Sequence, residues 1–173
     1  HNQLCPYVQS LAYQAKTAFA DKLGRTEILT VPMRLGEGQR LLRKSFQMLG
    51  RKVKVSGIAV RRAIKEAFSA QGGFEKAMKE KGREVLAKTR PDDKLFVLVS
   101  RPYNGCDEGL SLNLPQKLAE LGCQMIPLDM LDLDQAQVGD ETLHRQMYWS
   151  YGRKILRAAE VIKRDERLFA IYL

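Results

Sequence analysis

The sequence predicts an α/β protein, an open and mostly parallel sheet of about four short strands with flanking helices. Three observations carry that expectation. Leu95–Val99 is an unbroken apolar run, half of it β-branched or aromatic, as in a strand buried on both faces. From Lys94 to Asp129 the chain fits a strand, a polar loop, a helix and a second strand into 36 residues. That is a βαβ unit, whose strands run parallel. Two further apolar runs, at 28–31 and 168–173, are separated from it by helix-period stripes.

Taken in order, Cys5-Pro6 precedes Val8, Leu11, Ala12, Ala15, Phe19 and Leu23, a helix stripe closed by Gly24. Pro6 suits the first helical position, which puts Cys5 near the N-cap, where the helix dipole favours a thiolate. Two readings stay open for Cys5: a metal ligand or reactive thiol, and a small buried cysteine. Ile28–Val31 reads as a strand ending at Pro32. Leu42, Phe46 and Leu49 mark a helix up to Gly50. Ser56 caps the next one, with Val60, Ile64, Ala67 and Phe68 on one face. Gly72-Gly73 breaks the pattern, which Phe74, Met78 and Val85 resume up to Pro91. This stretch is longer than a crossover needs and predicts a basic helical lobe at about 50–90.

After the strand at 95–99, Pro102 ends any ladder and keeps Arg101 extended. Asn113 is placed to cap the helix of Leu114, Leu118 and Leu121, with Pro115 in its first turn and Gly122 ending it. Cys123–Leu128 is the next strand, and Cys123 at its start reads as core. Asp129, Asp132 and Asp134 suit a divalent cation or a solvated connection, and the lack of a loop glycine favours the connection. His144 has no ligand-like neighbours and reads as a surface or capping residue. Met147–Gly152 is rich in aromatics, for core, interface or ligand stacking, and leads into the stripe of Ile155, Leu156, Ala159 and Ile162.

The net charge of +9 is uneven. Arg34–Arg90 holds 16 Lys and Arg against 5 Asp and Glu, the remainder 13 against 15. Such a region attracts acidic surfaces or polyphosphates, or is simply solvated. Its three phenylalanines fit helix stripes, so the aromatic interleaving of a nucleic-acid binder is missing. Neither a nucleic-acid nor a membrane partner is expected. No run approaches the length of a membrane helix and no signal pattern opens the chain, so a cytoplasmic domain is expected. Three irregularly spaced cysteines argue against a disulfide scaffold. The opening on His1 and the close inside an apolar run suggest a single domain cut from a longer polypeptide.

The familiar glycine-rich phosphate loops, the zinc-protease and Cys-x-x-Cys motifs and the nucleophile elbow are all absent from the sequence. In parallel sheets ligands sit beyond the carboxyl ends of the strands, which makes the loop Arg101–Asp107 the candidate site. There Arg101 would contact an anion through its multi-donor fork, Tyr103 and Asn104 would orient a ligand or a cluster environment, and Asp107 completes the candidate ligand-binding set. The structural alternative has Asn104-Gly105 forming the turn and Asp107 bonding nearby amides.

Five stretches resemble one family in order and spacing: Cys5-Pro6-Tyr7-Val8-Gln9, Ser100-Arg101-Pro102-Tyr103-Asn104, Ser111 to Leu118, Ile126 to Leu131, and Tyr151 to Glu160 leading into Leu168–Leu173. The family is that of acyl-CoA dehydratase activase-related proteins, the bacterial CoA-substrate-specific enzyme activases. The resemblance covers nearly the whole chain, most weakly at 50–90. It implies a longer fusion in which actin-like ATPase modules precede a portion similar to a 2-hydroxyacyl-CoA dehydratase subunit, with this chain in that later, Rossmann-like portion. It also implies a 4Fe–4S cluster in the full-length protein, with Cys5 matching a candidate ligand. Cys106 lies in the site loop without matching the family's pattern. A cluster takes about four thiolates, so this stretch alone is expected to lack one and to be inactive. The partners implied are the remaining domains of the parent chain, an acyl-CoA dehydratase, and a second copy as a homodimer. The alternative from another class is a non-catalytic Rossmann-like docking module whose basic lobe meets another domain.

Overall fold

The computed structural model describes residues 5–32, 39–134, 136, 139 and 141–173. They form two compact units, residues 1–71 and 72–173.

In the first unit, α1 (Pro6–Ala18) starts where Pro6 puts it, with Cys5 at the N-cap and exposed. The helix is shorter than its stripe. The chain leaves it through overlapping turns at Phe19–Leu23, and Gly24 takes a left-handed φ of 54°. Ile28–Val31 is not a strand. Among the described residues of this unit no second extended segment can share its hydrogen bonds, and Pro32 has no N–H to give. α2 (Gln39–Lys52) turns Leu42 inward and α3 (Gly57–Lys88) turns Val60 inward. Gly50 lets the two helices close up: a Cβ there would meet Val60 Cγ2 at 2.5 Å. Ser56 caps α3 as expected, its Oγ accepting the Ala59 N–H at 3.2 Å.

α3 does not break at Gly72-Gly73 but runs unbroken for 32 residues. Each glycine costs about 1 kcal/mol against alanine, which good helix formers on both sides outweigh where no proline removes a donor. The boundary between the units falls inside this helix.

The second unit holds a three-stranded parallel sheet in the order β2-β1-β3, with β1 at Leu95–Val99, β2 at Gln124–Pro127 and β3 at Leu168–Tyr172. The chain is thus α/β, with three strands among the described residues rather than the four expected. Register pairs Leu95 with Gln124 and with Leu168. One face of the sheet carries Leu95, Val97, Val99, Ile126 and Leu168, packed with Ala158 and, at its margin, Val85, Ile155 and Ile162. Leu128, Leu131 and Leu133 alternate into the same core. The segment read as a solvated connection therefore spends its leucines inside and only its carboxylates outside. Full burial of each such leucine contributes about 1.5–3 kcal/mol.

Between strands lie α4 (Pro102–Gly105), α5 (Leu114–Glu120), α6 (Glu141–Gln146) and α7 (Ser150–Arg164). Gly122 ends α5 with φ 76°, as expected. Asn113 stands at its N-cap with φ 56° and makes no side-chain cap. The end of α3 is held by Arg167, which donates to the carbonyls of Leu86 at 3.2 Å and Thr89 at 2.9 Å. Those are C-terminal carbonyls without helical partners of their own. No described helix is long and apolar enough to cross a membrane.

Candidate functional site

The carboxyl end of β1 opens the site. Ser100 is buried, and Arg101 follows in extended backbone (φ −68°, ψ 142°), as the proline after it requires. Pro102 then starts the single turn of α4, and buried Gly105 lies against the strand end. A Cβ on Gly105 would lie 2.1 Å from Ser100 Oγ and 2.7 Å from Leu98 Cδ2, so any larger residue would make those side chains shift.

The Arg101 guanidinium lies 6.0 Å from the ring centre of Tyr103 and 5.7 Å from that of Tyr151. The loop and α7 therefore both offer it an aromatic face. Tyr151 donates its hydroxyl to the Ser100 carbonyl at 2.6 Å and lies 3.3 Å from Asp129 Oδ2. Lys154, one helical turn further along α7, pairs with Asp129 Oδ1 and has its ammonium 5.7 Å from the Tyr151 ring. Asp129 stands just beyond β2. The carboxyl ends of two neighbouring strands and one helix face thus converge.

Electrostatics assign roles within this group. Burial, reinforced by the Asp129 carboxylate, pushes the Tyr151 phenol well above its usual range, so it stays a neutral donor. The same two causes, burial first, raise the Cys106 thiol. Cys106 is thus held as a thiol beside the loop rather than as a nucleophilic thiolate. Asp129 is neutralised by Lys154, while among the described residues no carboxylate pairs with Arg101. The arrangement suits binding an anion between aromatic faces.

Of the residues singled out in sequence, Arg101 and Tyr103 face one another across this site. Asp107 turns to its own loop, its Oδ1 accepting the Leu110 N–H at 2.9 Å, as the structural alternative had it. Asn104 sits inside the turn, with its backbone N–H on the Arg101 carbonyl. The sequence offered Asp129 only as one of three carboxylates for a cation and Tyr151 only within the aromatic cluster 147–152, and it did not point to Lys154 or to their meeting Arg101. The signals were Asp129 directly after a strand, and Tyr151 with Lys154 at a spacing of three on one helix face.

Cys5 belongs to the first unit, and Cys106 and Cys123 to the second. Among the described residues, no three His, Cys, Asp or Glu side chains gather as a metal would need. Asp132 and Asp134 instead meet Lys79, at 3.9 Å for Asp132. These residues alone do not supply the ligand set of a 4Fe–4S cluster.

Two cavities flank the sheet. A pocket of about 240 Å³ beside the loop is lined by Leu98, Gly105, Cys106 and Ser111, among others. A larger groove of about 470 Å³ follows the free edge of β2 between α3 and α5, away from Arg101. On its rim Lys88 and Lys81 hold the Glu84 carboxyl down to about 2.

A family model described as the CoA enzyme activase uncharacterised domain matches residues 1–131. The chain belongs to this family. The matched stretch of this CoA enzyme activase domain takes in Cys5, the Arg101 loop and Asp129, and stops short of Tyr151 and Lys154. No curated protein and no solved structure matches the chain.

Proposed function

We propose that this CoA enzyme activase-related domain serves an ATP-coupled redox system related to the 2-hydroxyacyl-CoA dehydratases, and that its strand-end cluster holds an anionic ligand for that system. The system rests on the family match, and one observation carries the ligand site: Arg101, with no carboxylate partner among the described residues, stands near Tyr103 and Tyr151 at the end of a parallel strand. A guanidinium so placed can meet a phosphate or carboxylate through several parallel N–H donors. CoA, which carries phosphates, is the first ligand to test. Tyr151 and Lys154 would fix the floor of the site, and Tyr103 its outer wall. In this reading Cys5 is one thiolate ligand of an iron–sulfur cluster whose other ligands come from the rest of the polypeptide or a partner.

Calorimetric titration of CoA, and separately of inorganic phosphate, onto the chain and its Arg101→Gln variant tests the site. Weakening of CoA binding by about tenfold or more in the variant is expected for loss of a charged hydrogen-bond donor. Absent binding, or binding indifferent to Arg101, would sink it. The cluster is tested separately on the anaerobically expressed parent polypeptide, by iron content and electron paramagnetic resonance with and without Cys5→Ala. A reducible cluster that survives Cys5→Ala removes Cys5 from the ligand set.

A further inference from the structure

The pocket of about 240 Å³ beside the loop is walled in part by the turn that begins at Arg101. Gly105 donates its N–H to the Arg101 carbonyl at 3.1 Å, and Cys106 donates its own to the Pro102 carbonyl at 2.9 Å. Both residues line the pocket. The Asp129 carboxylate that bears on Tyr151 bears on the Cys106 thiol as well. Pocket and Arg101 site thus adjoin, both within the second unit.

The lining has a definite chemistry. Leu98, Pro115, Met125 and Pro127 supply apolar walls. Ser111 is 3% exposed, and its N–H and carbonyl are bonded to Asp107 and Leu114. Its hydroxyl has no hydrogen-bond partner among the described residues. Buried polar groups are hydrogen-bonded as a rule, so this one marks a place for a partner in the space it borders. Glu108 and Gln116 line the same pocket from exposed positions, at its mouth.

We infer, resting on the anion reading of Arg101, that this pocket is the second half of that site and takes an uncharged arm of the same ligand, bearing a hydrogen-bond acceptor for Ser111. A charged tail does not suit the lining. Among its residues the single charge is Glu108, which repels an anion at the mouth, while an ammonium between the apolar walls would lie unpaired. An adenine ring would leave most of its nitrogens without partners there. At about 30 Å³ for each liquid water, the pocket has room for about eight. That volume suits part of a flexible chain with an amide, whose carbonyl accepts from Ser111 while its methylenes meet the apolar walls. Of the parts of CoA, that is the pantetheine arm rather than the adenosine.

The test is calorimetric titration of 4′-phosphopantetheine and, separately, inorganic phosphate onto the whole chain. The arm should tighten binding by about tenfold or more over phosphate, through the methylenes it buries. The ratio of the two affinities is the readout. Ser111→Ala should cut it about threefold to tenfold, the loss of one hydrogen bond. Gln116→Trp, which fills the mouth from an exposed position, should bring it near one, and decides the matter if Ser111→Ala loses its native circular dichroism. 4′-Phosphopantetheine should also shield Cys106 from iodoacetamide better than adenosine 3′,5′-bisphosphate does. Stronger shielding by the bisphosphate, or a ratio that neither native-like variant moves, would overturn the assignment of the arm. If phosphate binds through Arg101 and the arm adds nothing, the pocket holds water alone, and only the arm's assignment falls. If Arg101→Gln leaves phosphate binding unchanged, the anion reading falls and takes the arm with it.

Discussion

The Tyr151 hydroxyl donates to the carbonyl of Ser100 at 2.6 Å, tying α7 to the carboxyl end of β1. That bond holds the aromatic ring beside which Arg101 stands. It also satisfies a carbonyl at a buried residue, which would otherwise lack a partner.

Tyr151→Phe keeps the ring and removes the bond. A loss of about 1–2 kcal/mol in urea unfolding is expected, the cost of an unsatisfied buried acceptor. In the parent chain, ultraviolet titration should find one of the six tyrosines resisting ionisation until far above the usual phenol range. A full complement titrating normally would contradict the buried position.

Two glycines of α3 should respond oppositely to alanine. A Cβ on Gly82 would lie 1.9 Å from the Met130 backbone oxygen, so helix and loop must part to admit it. Gly82→Ala is expected to destabilise by about 2 kcal/mol or more, as overpacking against backbone does. A Cβ on Gly73 meets nothing within 4 Å. Gly73→Ala should stabilise by about 0.5–1 kcal/mol through helix propensity. Paired melts of the two variants check the contrast.

Arg167 hydrogen-bonds Asp165 at 2.7 Å and holds the Asp165 carboxyl below its ordinary value. A carboxylate whose folded pKa is depressed contributes stability above its unfolded pKa, and that stability is lost as pH falls through the folded value. The contribution should therefore be present at neutral pH, begin to fade below about pH 4 and be gone once pH has fallen past the depressed folded value. Arg167→Ala should lower stability at pH 7 by about 1–3 kcal/mol, since it also strips the end of α3 of two donors. The difference from the parent should narrow in acid, which chemical unfolding at several pH values would follow.

Cys106 is exposed, yet its thiol is held above the ordinary cysteine range by partial desolvation and by Asp129, so it should alkylate more slowly at neutral pH than a free cysteine. Asp129→Asn is expected to raise its rate with iodoacetamide several-fold. Residue-resolved mass spectrometry would read this directly. An unchanged rate removes Asp129 from the thiol's surroundings.

Much of the second unit was legible locally. Leu95–Val99 read as a buried strand because so short and continuous an apolar run, rich in valine, suits the middle strand of a sheet. Pro102 fixed the extended Arg101 before it, and Gly122 the end of α5. The family resemblance was likewise carried by short motifs. Where local signals misled, a partner or context was missing. Ile28–Val31 has strand composition but, among the described residues of its unit, nothing to pair with. Gly72-Gly73 has the composition of a break but not the proline that would enforce one.

The sequence by itself determined where the parallel βαβ unit lies, that Arg101 caps its first strand, and that the cations cluster in the first half of the chain. Those follow from periodicity, proline and glycine stereochemistry, and counting. The tertiary structure decided that Tyr151, Lys154 and Asp129 join Arg101, although 22 residues separate Tyr151 from Asp129. It also decided that the leucines between the acidic residues after β2 belong to the core. Such meetings depend on which faces pack together, and side-chain packing over long separations leaves no period for a sequence to display.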